Sequence, residues 1–205
     1  LVFSIYSNPP DTSETTKGSF VPTKAKLTNY EIWGVFLSGC VWCLYNIAFI
    51  LPLSFGPEYL VTKGIALTSA GSTVSLASWL IIPALPMGAW IAERIGRPDL
   101  TIIATFVAAA SLIWMIPISN FYIIIFAALG LVFGPAGGLI MALPSQVLSK
   151  ENRAIGMGIF FTIYYLGMAI LPVIAGYVQD FTGSPSAPFI LAGISLLIAI
   201  VTLVS

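Results

Sequence analysis

The sequence predicts an all-α polytopic membrane protein, six transmembrane helices built as a 3+3 inverted repeat, and three observations carry that prediction. The first is composition: 58% of the 205 residues are hydrophobic, 8% are charged, and the mean hydropathy is +1.00. The second is the recurrence of apolar runs of about 20 residues, the length that crosses a hydrocarbon core, between short polar breaks. The third is an internal register. Displacing the chain by 87 residues sets Pro57 on Pro144, Lys63 on Lys150, Gly71 on Gly158, Glu93 on Asp180, Gly96 on Gly183 and Pro98 on Pro185 without a gap. Three spans separate the two copies, an odd number, so the second copy crosses the membrane in the opposite sense.

The six runs are Ile32 to Leu53, Thr68 to Ala92, Leu100 to Ile118, Phe121 to Val147, Ala154 to Val178 and Pro188 to Val204. Each is expected to be helical. Continuous apolar runs lack the alternation of a barrel strand, and an open sheet leaves backbone groups unpaired in lipid. Ahead of them, residues 1–30 read as a connector: Ser7 to Lys26 is rich in Pro, Ser, Thr and scattered charge, and Leu1 to Tyr6 reads as the tail of a preceding helix. Residues 31–205 are the bundle. A chain that starts and stops inside apolar sequence, with no secretion or transit signal, is expected to be a piece of a longer protein.

Net charge is zero, with eight basic and eight acidic residues, and their placement sets an orientation. If the turn at residues 93–99 is cytoplasmic, so are residues 1–30 and 148–153. That side then holds Lys17, Lys24, Lys26, Arg94, Arg97, Lys150 and Arg153 against Lys63 alone opposite, a positive-inside bias of seven to one. The expected location is a multi-pass position in the cell (inner) membrane.

The turn itself reads Pro86-Met-Gly-Ala-Trp-Ile-Ala-Glu-Arg-Ile-Gly-Arg-Pro-Asp99. Glu93, Arg94, Gly96 and Arg97 resemble the signature loop of major facilitator superfamily transporters, which runs Gly, three residues, Asp-Arg, one residue, Gly-Arg and a final basic residue. Three positions depart from it: Ala89 replaces the leading Gly, Glu93 replaces Asp, and Pro98 replaces the last basic residue, with Gly88 a neighbouring substitute for the Gly. The resemblance implies twelve helices in two halves, of which this chain is the C-terminal six with the connector before it. It also implies that Glu93 pairs with a helix N-terminus or an arginine in one state, and that Arg94 and Arg97 form inner-gate ion pairs, with Glu151 a local partner. A solvated loop that merely anchors topology is the alternative. The stretch Phe55-Gly-Pro-Glu-Tyr-Leu and the turn together resemble permeases of the cyanate or organic-anion kind.

Polar and small residues nominate the helices that face a path. Thr68, Ser72, Ser75 and Trp79 recur at helical spacing on the second run, and Gly39, Trp42 and Asn46 form a stripe on the first with Tyr45 beside it. Trp42, Tyr45, Asn46, Ser72, Ser75 and Trp79, with Tyr164 or Tyr165 of the fifth run, are the candidates for a solute cavity. Backbone-bonded hydroxyls and interfacial tryptophans are the competing explanation. Gly130, Gly134 and Gly138, with Pro135 and Gly137 between them, read as a close-packing face or a hinge at the proline. The third and sixth runs are nearly featureless and suit supporting positions against lipid.

No charged residue falls in the middle of a run, where it would cost roughly 2.5–3.5 kcal/mol and mark an ion or proton site. A coupling proton, a coupling ion or a charged solute therefore needs an ionisable group from the preceding half; a neutral solute does not. Enzyme classes lose their chemistry here. There is no histidine for a Ser-His-Asp arrangement, Cys40 and Cys43 stand in an apolar run with no further metal ligands, and Gly134 to Gly138 lacks the Lys-Ser/Thr sequel of a phosphate loop. No cofactor and no metal is implied, and no basic patch suits nucleic acid. The expected partners are the lipid bilayer, a small-molecule solute and the preceding six helices; the expected function is secondary transport by alternating access. A self-sufficient six-helix homodimer and a non-transporting receptor or scaffold are the other readings.

Overall fold

The computed structural model of the protein describes residues 26–205, so most of the connector and the tail at Leu1 to Tyr6 lie outside the described residues. Six long helices follow: α1 (Asn29–Thr62), α2 (Leu67–Ile95), α3 (Pro98–Met115), α4 (Tyr122–Val147), α5 (Arg153–Thr182) and α6 (Ala187–Val204), with a 3-10 turn at Lys150–Asn152 before α5. All six are long and apolar enough to cross a membrane. There is no strand among the described residues. The protein is an integral, multi-pass, all-helical membrane protein, as the hydropathy required.

Helix ends follow local chemistry. Thr28 caps α1: its hydroxyl accepts from the Glu31 N–H while the Glu31 carboxylate accepts from the Thr28 N–H, a reciprocal capping box. Gly96 and Gly183 close α2 and α5 in the left-handed region, at φ 71° and 64°, and Pro98 opens α3 in the first helical turn. The largest departure from expectation is in α1, which carries Pro52 inside it and continues past Leu53 through Pro57 to Thr62. Packing holds it there. Gly56 is pressed against Val74 and Phe126, and Leu51, Tyr59 and Leu60 are buried, so contact with neighbouring helices holds the helix through its two prolines.

The inverted repeat is visible in the element bounds. Shifted by 87 residues, α2 covers 154–182, and α5 is Arg153–Thr182. Gly96 and Gly183, paired by that shift, perform the same backbone task at the two ends. The two triplets also exchange partners: α2 packs most extensively on α4, and α1 on α5 and α6, while α3 lies against α4 and α6. Because α3 and α6 touch one another and back onto α4 and α1, they are more covered than lipid-facing supports were expected to be. The least covered spans are α2 and α5. Only 22% and 6% of their most apolar windows are buried, against 50% for α1 and α4, and the two do not touch each other.

Chain ends agree on two faces. On the face holding the N-terminus of α1, Glu31 meets Ser149 and Asn152 of the α4–α5 turn. On the other, Tyr59 donates its hydroxyl to the Pro117 carbonyl of the α3–α4 turn, packs on Tyr122 and Phe189, and lies under the Lys63 ammonium.

The α2–α4 contact is a backbone-to-backbone approach. A Cβ at Gly88 would fall on the Pro135 carbonyl, one at Gly130 on the Ala77 carbonyl, and one at Gly134 on Ala84. Lipid tails give helices no hydrophobic reason to associate, so such close van der Waals contact is what joins them. Gly137 leaves room for the Tyr45 hydroxyl. Gly138, expected in the same packing face, is exposed with open space beside it and takes no part. Gly88→Ala and Gly130→Ala are therefore expected to destabilise the bundle by about 1–3 kcal/mol or more through overpacking, whereas Gly138→Ala should be neutral or stabilising by up to about 1 kcal/mol. Unfolding midpoints in detergent micelles check the contrast.

Candidate functional site

The turn between α2 and α3 is built by one glycine and one proline. Gly96 accepts the positive φ that ends α2, its N–H donating to the Ala92 carbonyl, and Pro98 restarts the chain as α3 one residue after Arg97. Glu93, Arg94 and Arg97 are thereby held at the surface, close in sequence and unburied. Arg94 lies over the Trp90 ring at 5.3 Å, and Arg97 meets Asp99 at 3.6 Å with both side chains more than half exposed. Exposed pairs of these kinds contribute no more than about 1 kcal/mol each. Arg97–Asp99 is the one ion pair among the described residues, and Glu151 is exposed. The departure at Ala89 is also resolved. Ala89 is exposed, and Gly88, one residue earlier, is the buried position that lets α2 approach the Pro135 backbone.

Of the cavity candidates, Trp42 and Tyr164 come together across α1 and α5, their rings 6.1 Å apart, with Tyr165 packed on Tyr164 at 4.8 Å. Tyr164 is the half-buried tyrosine of that pair; Tyr165 is 65% exposed. Asn46, one turn after Trp42, donates its amide to the Trp42 carbonyl at 2.7 Å. The indole N–H of Trp42 is buried and has no acceptor among the described residues. Tyr45 departs from expectation. It is 4% exposed, sits in the core against Phe106 and Phe133, and donates its hydroxyl to the Phe133 carbonyl at 2.8 Å. A tyrosine on the packed side of α1 joins α1 to α4 rather than facing an opening.

Ser72, Ser75 and Trp79 do share an open face of α2, with Trp79 71% exposed. The two hydroxyls donate to the Thr68 and Gly71 carbonyls one turn back, which leaves their lone pairs free to accept. This face belongs to α2 and Tyr164 to α5, two helices that do not touch each other, while Trp42 stands on α1, which packs on both. The larger surface cavities are elsewhere and apolar: about 440 Å³ by Thr73, Asn120 and Tyr122, and about 480 Å³ by Met87, Thr105 and Pro135. Cys43 fits against Gly167 and Cys40 is half-buried, both unbridged, which suits packing between α1 and α5. Pro135 lies within an unbroken α4.

A scan against protein families matches the model described as Major Facilitator Superfamily over residues 8–205. The chain belongs to the major facilitator superfamily. Its function is thus that of a transporter of this type, and its six long apolar helices form the membrane-spanning bundle. A search of curated proteins finds no match.

Sequence reasoning passed over one residue. Glu31 sits in the first turn of α1, ahead of the apolar run, and is only 5% exposed. Its Oε2 accepts from the Thr28 N–H at 2.9 Å, the Thr28 hydroxyl at 3.1 Å and the Asn152 Nδ2 at 2.8 Å, while Oε1 accepts from the Ser149 N–H at 2.9 Å. The Thr-x-x-Glu spacing announces a capping box, but nothing in the chain announces donors from 118 and 121 residues away. The Thr28 and Ser149 backbone donors, with the Asn152 amide, pull the Glu31 carboxyl down to about 2 from 4.5. A depressed carboxylate stabilises the fold fully above pH 4.5 and loses that contribution as pH falls toward about 2. Melting temperature recorded in detergent from pH 6 to pH 3 should fall for the wild type, and Glu31→Gln should be lower at pH 6 with a flatter slope below pH 4.5.

Proposed function

We propose that this chain moves a small solute across the membrane by alternating access, as the second half of a permease whose first six helices pack against α2 and α5. The observation that carries the proposal is the uneven coverage of the bundle. The two spans left nearly bare, α2 and α5, flank α1 and α4 on opposite sides, where a second bundle would close over a central path. Rocking of two bundles about such a path is how repeat-built transporters expose one site to each side in turn.

The turn at Glu93 to Arg97 supports an inner gate. Its charges have only weak partners among the described residues, so closing the two halves on that face offers Arg94, Arg97 and Glu93 stronger ones at little cost. The positive-inside bias puts this face in the cytoplasm. For the solute, Trp42 with its unpartnered indole N–H, Asn46 and Tyr164 supply a donor, an amide and aromatic faces, and Ser72, Ser75 and Trp79 supply acceptors and a ring across the path. These groups suit a neutral solute; a charged one, or proton coupling, draws its ionisable group from the first half.

Uptake by the full-length protein in proteoliposomes, screened over neutral and anionic solutes with and without a proton gradient, tests the proposal. Replacing Arg94 and Arg97 together by alanine is expected to lower uptake about tenfold, equivalent to about 1.4 kcal/mol in the rate-limiting step, while the protein still reaches the membrane. Unchanged uptake would assign those arginines to topology alone. No uptake of any solute by the wild type would favour a receptor or scaffold.

A further inference from the structure

Glu31 is more thoroughly engaged than a helix cap requires. A capping box needs the Thr28 N–H and hydroxyl, and both are present. The Ser149 N–H and the Asn152 amide are additional, and they come from the α4–α5 turn. Asn152, itself 7% exposed, also donates to the Lys26 carbonyl at 3.4 Å, so the chain entering α1 is held by the same side chain. No cation pairs with the carboxylate among the described residues. A buried charge satisfied by several aligned neutral donors is rigidly placed, because loss of any donor leaves it short of partners in a low-dielectric setting.

Beneath this polar group lies a second, separate core. Val35, Leu148 and Phe160 are buried together, with Leu27, Val147, Met157 and Trp42 packed around them. Gly34 lets α1 approach Val147, and a Cβ at Gly156 would fall on Leu148. The near end of α1, the α4–α5 turn and the start of α5 therefore form one unit, pinned above by Glu31 and packed below. The unit reaches Trp42, whose ring stacks on Phe160 and meets Tyr164. It stands on the same face as the Glu93 to Arg97 turn but is independent of it, since α2 and α3 supply none of its members.

We infer that Glu31 is a positioning residue for the transport cycle: its carboxylate clasps residues 26–31 to the α4–α5 turn, so that α1 and α5 tilt together. The role, though not the clasp geometry, rests on the alternating-access function proposed above. A merely local cap would fix the first turn of α1 and leave α5 untouched. A clasp couples the start of α1 to the start of α5, and so to the Trp42–Tyr164 pair on the two helices.

Two measurements on the full-length protein test this. In lipid nanodiscs, hydrogen exchange of peptides covering 26–32 and 146–153 should quicken together in Glu31→Gln, at least tenfold, with the interior of α4 unchanged; Asn152→Ala added to Glu31→Gln should add little. Should Glu31→Gln fail to reach the membrane, Asn152→Ala alone, which leaves three donors on the carboxylate, should quicken both segments by a smaller factor. In proteoliposomes, labelling of Ser75→Cys on the open face of α2 by a membrane-impermeant maleimide, in a background with Cys40 and Cys43 changed to alanine, should change at least threefold in rate when Glu31→Gln is added. Faster exchange at 26–32 alone, or an unchanged labelling rate, overturns the inference. If Ser75→Cys with Glu31 intact reacts from one side only, whatever the proton gradient, it is the alternating-access function that fails, and the paired exchange result still decides whether the clasp exists.

Discussion

Lipid neither hydrogen-bonds a backbone nor drives helices together, and the whole structure is an answer to those two facts. Each run closes its own backbone as a helix, and helix meets helix where side chains are small enough for close contact. The α2–α4 crossing is the clearest case. Ala77, Ala84 and Gly88 on one helix face Gly130, Gly134 and Pro135 on the other, so that backbone atoms themselves are the contact surface. Even the hydroxyl groups obey the constraint: Ser38, Ser72, Ser75, Thr162 and Ser195 each bond a carbonyl one turn back.

That packing is distributed by a pseudo-symmetry that exchanges partners between triplets. The first helix of each triplet lies on the second helix of the other, so neither triplet has a self-contained core. The symmetry is of backbone, with different chemistry on the two faces. Gly96 and Gly183 make equivalent left-handed caps, yet Arg94 and Arg97 beside the first are replaced by Phe181 and Ser184 beside the second. One sequence register thus produces a turn with two arginines on one face and a turn with none on the other.

The charged face carries two devices of different character. The turn at Glu93 to Arg97 holds its charges in the open with weak partners. Glu31 holds its charge buried with strong neutral partners, unavailable to anything else. Opposite electrostatic settings suit opposite tasks: an exposed set can be made and broken as conformations alternate, and a buried one keeps its surroundings together while they move.

What the sequence determined by itself was everything that depends on spacing along the chain. Hydropathy and length gave six spans, the 87-residue register gave the inverted repeat, Gly96 and Pro98 gave the end of α2 and the start of α3, and Glu93, Arg94, Gly96 and Arg97 gave the resemblance to the family. It also held the close approach at Gly88, because a small residue beside a missing glycine can be read locally. Tertiary structure alone decided which side of each helix is covered. Tyr45 and Trp42 are three residues apart on one helix, and only the positions of α4 and α5 make one a core strut and the other an aromatic partner of Tyr164. Gly138 continues a four-residue spacing that stops mattering where α2 diverges from α4. Glu31 drew no notice in the sequence because two of its donors lie more than a hundred residues on, and periodicity carries no information about which distant turn will fold against a helix end.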